Sequence, residues 1–118
     1  MQRILYRSTN GKSKLVTFKE ALLKGQAPDY GLYVPTRIPT LSKNEIASFR
    51  GKDYGYIAFR VAKKFLECEI EGGDLGLLIN EAYNFEIPLE KAGNNLHIMR
   101  LDQGPTASFK DFAARLMA

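Results

Sequence analysis

Apolar residues recur at helical spacing along most of this chain, and at strand spacing only in short pieces. The most regular run is Tyr54, Ile57, Ala58, Val61, Ala62 and Phe65, which predicts a helix from about Asp53 to Cys68, the longest in the chain. Thr17 with Glu20 forms a capping box for a helix through Lys24 that turns Phe18, Ala21 and Leu22 to the core, and Gly25 stops it. Ser42 with Glu45 repeats the signal for a short helix carrying Ile46, Ala47 and Phe49, which Gly51 breaks. Asp74 caps a further helix to about Asn84, with Leu75, Leu78, Ile79 and Ala82 on one face. Short runs at Gln2 to Tyr6, Leu15-Val16, Leu32 to Val34 and Leu96 to Leu101 read as strands. The turns between them fall at Ser8 to Gly11, Pro28 to Gly31 and Gly93-Asn94, while Pro88 marks a loop. The sum is an α+β chain with more helix than strand.

The last stretch is different in kind. Gly104-Pro105 is a turn, Ser108 opens a helix with Asp111 as its acidic capping partner, and Phe109, Phe112, Ala113, Leu116 and Met117 keep a helical period. Asp111 and Arg115, four residues apart, share the narrow polar edge. Lys110 stands against this pattern. One turn on from it lie Ala113, Ala114 and Met117, so a cation occupies the first turn of a nearly all-apolar helix expected to be buried. There the helix dipole and lost hydration both oppose the ammonium form, which favours an amine that acts as a nucleophile or Schiff-base partner. A lysine near a helix start is more often a solvated surface residue, and the pattern alone leaves both readings open.

Composition narrows the classes. The 118 residues suffice for one domain, and 45% hydrophobic content supports a packed core. Net charge is +4, but the basic residues are scattered and only Lys63-Lys64 are adjacent, which speaks against nucleic acid. Arg7, Arg37 and Arg100 each have the chemistry for a phosphate, and no spacing selects among them. Cys68 is the single cysteine, read as an ordinary buried thiol in a reducing, cytoplasmic setting. His97 has no companion metal ligands, so no metal site is expected. No apolar run is long enough for a membrane span.

Three ordered blocks carry a family resemblance. Residues 104–118, GPTASFKDFAARLMA, resemble the cofactor-lysine segment of threonine synthases, pyridoxal-phosphate enzymes of the tryptophan-synthase β-like fold (fold type II). Tyr6-Arg7-Ser8-Thr9-Asn10-Gly11 is similar to that family's opening block. Phe18 to Gly25 followed by Ala27-Pro28-Asp29-Tyr30-Gly31-Leu32-Tyr33-Val34-Pro35 is similar to its second. Departures are Asn10 where Arg is common, Tyr30 where Gly is common, and Asp102-Gln103 before Gly104, which bear on substrate preference.

The resemblance implies a small α+β N-terminal domain over residues 1–90 and the beginning of the pyridoxal-phosphate domain over 91–118. It implies conversion of O-phospho-L-homoserine and water to L-threonine and phosphate in the full-length enzyme. Lys110 would be the catalytic and cofactor-binding lysine, with Phe109 packed beside the cofactor and Asp111 capping the helix at its border. No Gly-rich phosphate loop precedes Lys110, and the last helix is apolar to its final residue. The expectation is therefore an N-terminal part of a longer enzyme, inactive alone. Its last helix is expected to be disordered, refolded or buried in a neighbouring copy. Two other readings stay open: a related fold type II phospho-lyase that makes no threonine, and a non-catalytic interaction module.

Overall fold

The computed structural model describes residues 3–118, so Gln2, the first residue of the expected opening strand, lies outside them. Local capping chemistry sets the helix starts. Thr17 Oγ1 accepts from the Glu20 amide at 3.2 Å and the Glu20 carboxylate accepts from the Thr17 amide at 2.8 Å, opening α1 (Phe18–Lys24). The same reciprocal pair between Ser42 and Glu45 opens α2 (Lys43–Ser48). Asp53 accepts from the Tyr56 amide at 2.7 Å and opens α3 (Tyr54–Leu66), the longest helix. It ends at Leu66 rather than Cys68, because the Glu69 and Ile70 amides both turn back onto the Leu66 carbonyl. α4 (Gly72–Ala82) begins before Asp74, which sits in the first turn instead of capping it.

Pairing between strands is sparse. β1 (Tyr6–Ser8) runs antiparallel to β2 (Tyr33–Pro35), with Arg7 opposite Val34. The expected opening strand thus starts only at Tyr6, and Val16 contributes a single bridge to Tyr6 instead of a second strand. A second pair, β3 (Leu89–Lys91) and β4 (His97–Met99), forms a hairpin over the Gly93-Asn94 turn. β3 was not expected, since Pro88 reads as a loop. The proline's carbonyl nonetheless accepts from the Arg100 amide at 2.9 Å and extends the pairing.

The core gathers where α3 and α4 pack. Leu66, Leu75 and Ile79 are buried, with Phe18 from α1 and Phe59, Ala62 and Phe65 from α3 against them. Leu116 enters the same cluster from α5 (Asp111–Met117). Several expected core positions lie outside it. Leu22, Leu32 and Leu78 are exposed, because each short element covers only one narrow side of its neighbour. Among the described residues no helix is long and apolar enough to cross a membrane.

Candidate functional site

The segment before α5 is fixed by one carboxylate. Asp111 is buried and accepts from the Thr106 hydroxyl at 2.7 Å and the Thr106 amide at 3.0 Å. Those bonds, the Thr106 hydroxyl first, hold its carboxyl below the usual aspartate range. Gly104 belongs to the same arrangement. A Cβ on it would overlap the Asp111 carboxylate, so only glycine lets the turn close over the acid. Ala107 adopts a left-handed φ of 53°, and its amide donates to the Gly104 carbonyl at 3.0 Å. The turn is therefore strained and held by Asp111 from one side. Ser108 accepts from the Lys110 amide at 3.2 Å rather than from that of Asp111, so the expected capping box gives way to this tighter turn.

The polar edge of α5 faces inward: Asp111 is buried and Arg115 reaches the end of α4. Arg115 Nε donates to the Ala82 carbonyl at 2.7 Å. Its Nη2 donates to the Glu81 carbonyl at 2.8 Å and to Asn84 Oδ1 at 3.0 Å. The guanidinium also lies 5.9 Å from the Phe85 ring centre. α4 has no basic residue in its last turn, so Arg115 supplies from a distance the donors that its terminal carbonyls lack. Tyr83 adds a second tie, its hydroxyl donating to the Phe112 carbonyl at 2.9 Å. Around it Tyr54 and Phe85 each meet Tyr83 and Phe112 edge to face, with centroids 5.1 to 6.5 Å apart, while Tyr83 and Phe112 are tilted at 37°.

These ties correct the expectation that the last helix is disordered or refolded. α5 is formed, with Phe112 and Leu116 half-buried against α3 and α4, while Phe109 and Met117 are exposed. Lys110 stands at its head, exposed rather than buried. Among the described residues no acidic side chain pairs with its amine. The Phe109 ring lies beside it in sequence, 67% exposed and tilted against Phe112.

Other expected residues fall elsewhere. Arg100 forks between Asp102 at 2.7 Å and Glu90 at 2.9 Å, so its charge is already committed. His97 is exposed on β4. Cys68 is exposed, not buried, because α3 ends before it. The first two resemblance blocks meet in one knot. Asp29 accepts from the Ser8 hydroxyl at 2.6 Å, the Lys12 amide at 2.9 Å and the Gly31 amide at 3.1 Å. Led by the Ser8 bond, these hold its carboxyl down at about 2. Ser8 is buried, and a Cβ on Gly31 would overlap its hydroxyl.

Comparison with known proteins follows this geometry. Residues 5–83 match the family model for the threonine synthase N terminus. Threonine synthase of Pseudomonas aeruginosa is 38% identical over 95% of this chain and 25% of its own length. That of Schizosaccharomyces pombe is 35% identical over 98% of this chain and 24% of its own. The crystal structure of PLP-bound threonine synthase from Brucella melitensis superposes with a TM-score of 0.91 at 36% identity. It covers 97% of this chain and 26% of that one. The chain thus spans about a quarter of the length of the relatives it matches.

Proposed function

Because the chain belongs to the threonine synthase family, we propose that the enzyme built on it converts O-phospho-L-homoserine and water to L-threonine and phosphate. Pyridoxal 5'-phosphate is the cofactor and Lys110 the residue that binds it. The observation that carries this reading is Lys110 itself: an exposed amine at the head of a helix whose approach and body are both pinned. Such an amine suits an aldehyde cofactor, because no carboxylate among the described residues competes for it. When bound, the cofactor supplies an electron sink for charge developing on the substrate.

This chain's residues do the rest. Lys110 would hold the cofactor and would carry protons to and from the substrate. Asp111 keeps the turn closed through Thr106, so the amine is presented from a fixed backbone. The exposed Phe109 ring would pack beside the cofactor held at Lys110. Residues 1–90 form the small N-terminal domain, and residues 91–118 begin the cofactor domain. The chain's partner is the small-molecule substrate, with self-association through the exposed apolar surface; nucleic acid and membrane have no part. The setting is cytoplasmic.

The test uses the complete enzyme with O-phospho-L-homoserine, assaying phosphate and threonine together. Borohydride reduction of the holoenzyme followed by peptide mapping is expected to label Lys110. Lys110→Ala should abolish turnover, and Lys110→Arg should fail equally, since guanidinium stays protonated. Phosphate release without threonine would replace this reading by the phospho-lyase. Label on any other lysine would remove Lys110 from the site.

A further inference from the structure

We propose that Arg115 is a positioning residue for Lys110, fixing the rotation of α5 and so the direction in which the amine points. The proposal rests on the reading of Lys110 as the cofactor lysine. The two residues are five positions apart in the sequence. At about 100° per residue that places them roughly 140° apart around the helix. Arg115 faces α4 and Lys110 faces away from it. Any turn of α5 about its axis that loosens the arginine therefore swings the amine by the same angle.

The grip resists that rotation in a way a point charge would not. Arg115 meets three acceptors, the carbonyls of Ala82 and Glu81 and the Asn84 amide oxygen, between 2.7 and 3.0 Å. Three acceptors on a planar fork define an orientation, whereas one ammonium contact defines only a distance. The tie from the Tyr83 hydroxyl to the Phe112 carbonyl acts along the axis, since it holds backbone of α5 itself. Leu116 in the core sits one residue beyond Arg115 and tolerates rotation better, because apolar contact is not directional. The small domain's α4 is thereby the reference against which the amine is aimed.

The experiment is Arg115→Gln in the complete holoenzyme. Expected are cofactor content and borohydride label on Lys110 like the parent, but a changed visible circular dichroism of the bound cofactor. The kcat should fall about tenfold or more with KM within about threefold, the pattern of misaligned reacting groups. Arg115→Lys, which keeps the charge and loses the fork, should recover less than half of the lost kcat. A merely structural role would lower the melting temperature and leave dichroism and kcat unchanged at temperatures where the variant is folded. That result overturns the proposal, as does full recovery by Arg115→Lys. If Arg115→Gln gives no folded protein, Arg115→Lys decides by the same two signals. Parent enzyme labelled on a lysine other than Lys110 overturns the reading beneath it and the proposal with it. Parent label on Lys110 with unchanged dichroism overturns the proposal alone.

Discussion

Two neighbouring residues in the second block carry opposite backbone demands. Tyr30 holds φ at 63° with its ring 82% exposed, so the ring gains little packing for a left-handed conformation that costs an L-residue about 1–2 kcal/mol. Tyr30→Gly should therefore raise stability by a few tenths to about 1 kcal/mol, after the extra unfolded-state entropy of glycine is subtracted. Gly31→Ala should do the reverse, because its methyl would displace the Ser8 hydroxyl from Asp29. Paired urea melts check both signs. Acid adds a third observable. The carboxyl of Asp29 is held at about 2 in the fold, below the usual value of 3.8, so its stabilisation is present above roughly pH 4 and is lost as pH falls toward 2. Titration of the Asp29 side chain by NMR should return that depressed midpoint, and Ser8→Ala should move it upward. Asp53 was legible because it precedes a regular period, whereas the apolar neighbours of Lys110 pointed to a buried lysine that the structure leaves exposed. The tasks of Asp29 and Arg115 were not legible, since all their partners but the Gly31 amide lie 17 to 34 residues away.

Among elements, local chemistry and tertiary partnership divide the fold. The starts of α1, α2 and α3 were readable because a cap and its amide lie three residues apart, whatever else the chain does. The hairpin of β3 and β4 was only half readable, because strands of three residues carry too few side chains to show a period. The inward turn of the α5 polar edge was not readable at all. It depends on α4 ending without donors of its own, a property of a different element. α4 is thus the shared member: it buries Leu75 and Ile79 against α3 and receives Arg115 at its end. Leu75→Ala should cost about 2–5 kcal/mol, since the side chain is 1% exposed and leaves a cavity. Leu78→Ala, three residues on and 43% exposed, should stay within about 0.5 kcal/mol. Equilibrium urea unfolding of the two variants separates the buried stripe from the face beside it. Equal losses would show that α4 packs in another rotation.

At the scale of the molecule, this chain covers little of itself. Its accessible surface is 8631 Å², about a third more than the roughly 6,500 Å² of a compact monomer of 13.3 kDa. The radius of gyration is 16.4 Å against about 13.5 Å for a compact domain of this length. The excess is concentrated in part around the hairpin and α5, where Leu89, Leu96, Ile98, Met99, Phe109 and Met117 are all exposed. A groove of about 340 Å³ also opens between α3, α4 and α5, lined by Ile57, Val61 and Leu116. Apolar surface on that scale favours association, because burying it returns about 25 cal/mol for each Å² removed from water. Isolated, the chain should self-associate in sedimentation velocity as concentration rises. Ile98→Glu with Met117→Glu should restore the monomer. The same pair should leave the melting temperature of the dilute chain nearly unchanged, since both side chains are about half exposed and neither belongs to the core of Leu66, Leu75 and Ile79. A parent chain that stays monomeric over the whole concentration range would show that this surface is compatible with water as it stands.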